Sequence, residues 1–331
     1  MPRVRITHTT EYTYRRPVQP TTHRLMSRPR DSHDLRLREA TLLLSPPAAR
    51  TRWAHDVFGN SVCYVDWDDA RTDVLRIVST LDIDHFPATS DLPLDPAAET
   101  YPFSYSTEEA PDLARVLERH YPDPDRVVDK WAYGFLRTDG PTRTLDMLSA
   151  MAQAIKSDFA YETREEEGTH PPSLTLSTRR GACRDFTLLM MEAARSLGLA
   201  ARFVSGYLYD DRVEGSANPV IGGGATHAWC AIYLPGAGWV EFDPTNGLIA
   251  GRNLIRVCSA RTPQQAVPVG GAYKGRAEDF TGLHVRVEVQ VGDGPGPASG
   301  EAARPPGAQA TPPDPAAPPA PSSPATRGGP G

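Results

Sequence analysis

The sequence predicts an α+β fold: a β-rich, sandwich-like N-terminal domain, then a core of helices packed on an antiparallel sheet, then an unstructured tail. Three observations lead there. Apolar residues alternate with period two over residues 1–85, helical spacing takes over after about residue 111, and alternation returns near residue 203. Beyond Val291 twelve of the thirty-three prolines fall between Pro295 and Pro330, among Ala, Gly and Ser. Such a segment cannot bury enough surface to offset the entropy of ordering it. The resulting division is 1–85 for the β-rich domain, 86–102 for a connector, 103–291 for the core with a closing strand, and 292–331 for the tail.

In the first domain, Val4, Ile6, His8, Thr10 and Tyr12 share one face of an opening strand, and Leu35 and Leu37 begin another. A turn at Gly59-Asn60 leads into Val62-Cys63-Tyr64-Val65, and Val74, Ile77, Val78, Leu81 and Ile83 supply a further strand. From Phe86 to Pro102 prolines and acids break the pattern.

Helices are then expected over Pro111–His120, Pro124–Leu136 and Leu145–Phe159. A fourth begins at Cys183, where Phe186, Leu189, Met190, Ala193, Ala194 and Leu197 repeat at helical spacing and Gly198 stops the run. A thiol in the first turn lies beside unpaired backbone N–H groups and the positive end of the helix dipole, which favour a thiolate and can receive an oxyanion. Gly181 permits close approach just ahead of it, and Asp185 suits the dipole. A buried structural cysteine is the competing reading.

A strand near Phe203–Tyr209 follows, and then a hairpin: Thr226–Leu234 out, Pro235-Gly236-Ala237-Gly238 as the turn, Trp239–Asp243 back. Pairing Tyr233 with Trp239 sets His227 opposite Thr245 and makes Asp243 its diagonal neighbour on the same face, where a carboxylate orients an imidazole. A slip of one residue would separate them. Leu283–Val289 alternates cleanly and reads as a closing strand, paired back onto the N-terminal domain. Cysteine, then histidine, then acid is the layout of a thiol acyl-transfer enzyme.

Arg180-Gly181-Ala182-Cys183-Arg184-Asp185-Phe186, Ala193–Gly198, Val204–Leu208, Thr226-His227-Ala228-Trp229 and Gly238-Trp239 through Asp243–Gly247 together resemble the bacterial transglutaminase-like proteins of the papain-like cysteine-enzyme superfamily. These blocks span about the middle third of the chain, while Thr7–Tyr14 and His55–Asn60 resemble the β-rich domain that precedes this core. Gly222-Gly223-Gly224 departs from the acidic or polar residues expected ahead of Thr226. The resemblance implies a papain-like, transglutaminase-like core with Cys183 as nucleophile, His227 as general base and acid, and Asp243 orienting it. It also implies a thioester intermediate on a protein or peptide amide. Hydrolysis, as in a peptidase or deamidase, is the favoured outcome, with transglutamination to an isopeptide bond as the alternative. A catalytically silent peptide-binding module is the rival of another class.

The Cys183 backbone N–H is the expected oxyanion donor, and Tyr161, on the segment leading to Cys183, is a candidate second one. Trp229 and Trp239 either line the cleft or cover the core beside it. His227 and Cys230 lie three apart on a strand and point to opposite faces, so they do not share a metal ion, and Cys230 reads as a core thiol. Glu165-Glu166-Glu167 and Asp210-Asp211 lack the spaced oxygens of a calcium loop and read as solvated. No metal or cofactor is expected.

With 331 residues and 39% apolar content the chain supports one large or two modest cores. A net charge of −6 gives no reason to expect nucleic acid or an anionic membrane as partner. Four scattered cysteines, no apolar run of membrane-spanning length and no basic-then-apolar opening point to a reduced cytoplasm. The tail reads as a solvated extension, with docking to a proline-recognising partner as the alternative.

Overall fold

Alternation persists through the whole of β1 (Pro2–Pro20), and this strand organises the N-terminal half. In the computed structural model, which describes residues 2–86, 92–164, 168–209, 226–249 and 253–293, β1 has two antiparallel neighbours. One is β6 (Thr72–His85), and the other is the closing strand Phe280–Asp293, in register from Val4 opposite Val291 to Tyr12 opposite Leu283. β3 (Leu35–Ser45) extends the sheet beyond β6, and Tyr273–Lys274 pairs with the end of β1. A second sheet runs Val269–Gly270, β2 (His23–Arg28), β5 (Ser61–Asp66), β4 (Arg50–His55). The two sheets enclose Tyr14, Val18, Leu25, Cys63, Val65, Trp67, Leu75 and Ile77. The N-terminal strands thus take three partners from residues 269–293, a segment that the sequence division groups with the core. The Glu165–Glu167 and Asp210-Asp211 runs, Gly222–Gly224 and the proline-rich tail lie outside the described residues.

The core begins at α1 (Glu109–Leu117), whose first turn is closed reciprocally: Ser106 N–H donates to Glu109 Oε2 at 3.0 Å and Glu109 N–H donates to Ser106 Oγ at 3.2 Å. α2 is shorter than expected, Val127–Tyr133, because Asp123 accepts from the N–H groups of Val127 and Val128 and fixes the start there. α3 (Thr144–Asp158) follows the predicted span closely. α4 (Pro172–Thr178) has no counterpart in the expected elements, since seven residues with Leu174 and Leu176 as the only large apolar side chains give no readable helical period.

α5 (Cys183–Ser196) starts and ends where its pattern indicates, yet it is buried on nearly every side rather than along one stripe. Its charged residues are paired: Glu192 accepts from Arg119 Nε at 3.0 Å and from Arg195 Nη1 at 2.8 Å, and Arg195 also donates to the Ala201 and Arg261 carbonyls. Phe186, Leu189, Met190 and Ala193 pack with α3 residues Leu148, Met151 and Ile155 on one face of an antiparallel sheet. Full burial of such side chains contributes about 1.5–3 kcal/mol each. The sheet order is Leu248–Ile249, Gly238–Asp243, Thr226–Leu234, Ala201–Leu208, Leu254–Ala260. Tyr233 pairs with Trp239, the register read from the turn.

Along the 201–208 strand and just past it, Phe203 packs beneath the helices, whereas Tyr207 and Tyr209 pack against Val4, Ile6, Leu81 and Ile83 of the N-terminal sheet. Two histidines bind this seam. His8 Nδ1 lies 3.0 Å from the Tyr207 hydroxyl, and His85 Nδ1 lies 2.9 Å from the Tyr209 hydroxyl. Between the two packings, at Ser205, the sheet opens to a cleft.

Candidate active site

Asp185 shapes the start of α5. Its buried carboxylate accepts from the Ala182 N–H at 2.9 Å, the His170 N–H at 2.7 Å and Arg164 Nη2 at 2.9 Å, so it caps the helix and ties the 164–170 segment to it. A Cβ at Gly181 would stand 2.9 Å from Asp185 Cβ, which is why glycine precedes the Ala182-Cys183 pair. Gly181 in turn pairs in parallel with Tyr161. Cys183 is therefore held, half-buried, in the first helical turn.

His227 enters from the second residue of its strand and is fully buried. Its Nε2 lies 2.8 Å from Asp243 Oδ2, while Nδ1 makes no hydrogen bond within the usual limits among the described residues. Burial alone would lower the imidazole pKa. The Asp243 carboxylate overrides it by charge and hydrogen bond, with a smaller contribution from the adjacent Cys183 sulfur, and the net shift is upward. Burial likewise opposes ionisation of Asp243, yet His227 and the Asn246 amide hold its pKa below the ordinary value. Asn246 Nδ2 donates to Asp243 Oδ2 at 2.8 Å, and the Thr245 N–H donates to Oδ1 at 3.0 Å. A negative, hydrogen-bonded acid thus fixes one ring nitrogen and leaves the other on the thiol side.

The remaining expected site residues separate. Tyr161 stands beside Cys183: burial raises its pKa, and the Cys183 charge adds to the rise. Trp229 does not reach the cleft. It is fully buried behind His227, its ring stacked on the imidazole at 6.0 Å, among Val204, Leu208 and Ala231. Trp239 packs against the same cluster. Cys230 faces the helices, its thiol 3.5 Å from the Phe242 carbonyl, and burial pushes its pKa up. Among the described residues, no three His, Cys, Asp or Glu side chains are grouped to hold a metal ion.

Cys183 and His227 open onto a cleft of about 630 Å³ whose opposite wall is the N-terminal sheet: His8, Thr10 and Tyr12 of β1, with Leu283 and Val285 of the closing strand. Sequence reasoning placed none of these at the site. The signal that marks them is the pair of polar residues, His8 and Thr10, on the otherwise apolar inward row of β1. In the sequence Asn246 stands only within the Asp243–Gly247 block, and its grip on Asp243 emerges from the turn that follows the strand.

Residues 130–244 match the transglutaminase-like superfamily, and residues 4–84 match the bacterial transglutaminase-like N-terminal region. The uncharacterized protein Rv2569c of Mycobacterium tuberculosis is 30% identical over 297 residues, covering 87% of this chain and 92% of its own length. ML0607 of Mycobacterium leprae is 36% identical over 126 residues, 37% of this chain and 42% of its own length. In three dimensions the chain resembles a candidate cysteine protease from Cytophaga hutchinsonii, with a TM-score of 0.64, 17% identity, and coverage of 88% of this chain and 91% of that one. The shared fold, the two family regions in this order and a relative matched over nearly its whole length lead to one conclusion: the chain belongs to the bacterial transglutaminase-like family, a transglutaminase-like core of papain-like fold preceded by its characteristic strand-rich N-terminal region.

Proposed function

We propose that the protein is a thiol-dependent amide hydrolase acting on protein or peptide substrates through Cys183, His227 and Asp243. The observation that carries this reading is the buried His227–Asp243 bond, which occupies Nε2 and leaves Nδ1 for the thiol of a half-exposed, helix-opening cysteine. His227 Nδ1 takes the Cys183 proton as sulfur bonds to the carbonyl carbon. The oxyanion is held by the Cys183 backbone N–H, with the Tyr161 hydroxyl as the neighbouring second donor. Collapse of the tetrahedral adduct breaks the C–N bond, His227 returns the proton to the leaving amine, and a thioester remains. Water, deprotonated by His227, then releases the acid and regenerates the thiol. Hydrolysis is favoured over transfer to an amine because Cys183 is half-exposed on the cleft formed by the described residues, where water reaches a thioester.

The test is alkylation by iodoacetamide at neutral pH with peptide mapping of all four cysteines. Cys183 is expected to react much faster than the buried Cys63, Cys230 and Cys258, and His227→Ala is expected to slow it at least tenfold. A Cys183 no more reactive than Cys63, or a rate indifferent to His227, would overturn the catalytic reading in favour of a silent binding module.

A further inference from the structure

The cleft at Cys183 is positively charged in a chain that is negative as a whole. Two guanidinium groups line it, those of Arg24 and Arg184, and among the described residues no Asp or Glu does, although acids outnumber bases 41 to 35 in the sequence. Arg184 follows the thiol directly and donates from Nη2 to the Arg164 carbonyl at 3.1 Å. Arg24 comes from β2, in the N-terminal half, and donates from Nη1 to the Gln265 carbonyl at 3.1 Å. Its Nε–Nη2 edge has no partner among the described residues, and none of their carboxylates pairs with it. That edge is the one with which Arg3 grips both oxygens of Asp82.

The flank of Arg24 on the cleft side is open. Its cross-strand partner there is Gly270, and directly opposed residues of an antiparallel pair carry their side chains on the same face. A Cβ built at Gly270 would meet nothing within 4 Å beyond its chain neighbours, so a carboxylate reaches the guanidinium without displacing a side chain. Val267 and Val285, 40% and 43% exposed, line the same cleft with Leu283 and offer an apolar surface beside the charge. We propose that the substrate is an acidic peptide: Arg24 reads a carboxylate on it through two parallel N–H···O bonds, and Val267, Leu283 and Val285 receive an apolar side chain. The recognised group is the carboxylate, of an Asp or Glu side chain or of a chain end. The two guanidiniums repel a basic residue at the same place. This assignment rests on the Cys183 cleft being the substrate site and names what that site selects.

The full chain carrying Cys183→Ala, which binds without turnover, is titrated with rhodamine-labelled peptides of Val, Ala and Gln while their anisotropy is followed. One series, amidated at the C-terminus, carries Glu at each position in turn, matched series carry Gln or Lys there, and a last peptide is uncharged but ends in a free carboxylate. At least one carboxylate peptide is expected to bind about tenfold or more tightly than its neutral partner. Whether that peptide is a Glu peptide or the one with the free end distinguishes the two sources. Arg24→Gln should reduce the gain to about twofold or less. Gly270→Asp, which sets an internal carboxylate beside Arg24 and leaves its bond to Gln265 in place, should do the same, and Gly270→Ala should keep the gain. No binding, no gain for any carboxylate, tighter binding of the Lys series, or a gain that survives Arg24→Gln or Gly270→Asp overturns the assignment. Because binding is read in a protein without the thiol and alkylation in one that has it, failure here and failure of the catalytic reading are distinguishable.

Discussion

Acid should loosen the seam between the N-terminal sheet and the core through His8 and His85. Both are buried, and burial pushes each down to about 4 from an ordinary 6.5. The unfolded chain then binds more protons than the folded one between about pH 4 and 6.5, so stability rises with pH through that window and is lost as pH falls. A shift of about 2.5 units at about 1.4 kcal/mol per unit is worth about 3 kcal/mol per histidine over the full window. By pH 5 about 2 kcal/mol of it is realised at each site, or about 4 kcal/mol for the pair, a large share of a typical 5–15 kcal/mol total. The comparison is between wild type and the double variant His8→Asn/His85→Asn. Asparagine can keep a hydrogen bond to the tyrosine hydroxyl from the Nδ1 position but does not titrate in this range. Urea unfolding at pH 7.5 and pH 5.0 should show wild type losing about 4 kcal/mol more than the variant between the two conditions. The opposing contribution of His227, whose raised pKa favours the folded state at the lower pH, is common to both proteins and cancels. Equal losses in wild type and variant would refute the reasoning, because protonation of the two seam histidines would then carry no folding cost.

Three further outcomes are expected. Asp243→Asn should lower amide-hydrolysis kcat by about 10²–10⁴-fold, because the amide no longer stabilises the imidazolium opposite Nε2; an active Asn variant would remove Asp243 from the mechanism. Asn246→Ala should cost about 1–2 kcal/mol in urea unfolding and slow Cys183 alkylation measurably, since it strips one of the hydrogen bonds that holds the Asp243 carboxylate in place. Gly206→Ala should lower stability by about 3 kcal/mol or more, as a Cβ there would meet the Ile255 carbonyl oxygen at 2.0 Å and the Trp229 ring at 2.7 Å; a melting temperature within a degree or two of wild type would contradict it.

The hairpin that joins His227 to Asp243 was legible because its register is local. The turn at Pro235–Gly238 sets Tyr233 opposite Trp239, and every pair behind it follows by count. α5 was legible because its apolar spacing and its Gly198 stop are both local signals. What depended on distant pairing was not. No local rule brings Leu283 and Val285 across from Cys183, or sets Tyr207 against His8, because these contacts arise only when strands far apart in sequence meet. The full burial of α5 was hidden for the same reason: the partners that let Glu192 and Arg195 be buried, Arg119 and the Ala201 carbonyl, come from other elements. Trp229 was open to two readings since strand parity gives its face and not the depth of what covers it.

β1 obtains one neighbour, β6, early in synthesis and the other, the closing strand, only after the helices and sheet of the core have been made. Leu283 and Val285 on that last strand also wall the cleft at Cys183. During translation the Cys183 helix and the His227 hairpin therefore emerge well before their cleft has all of its far side. A chain halted between Asp243 and the closing strand carries the thiol, the imidazole and the acid but leaves the cleft open along one flank. Synthesis of the closing strand is in this sense a checkpoint on the site: long-range pairing, slow by nature, keeps Cys183 from acquiring its finished cleft until that strand has been made.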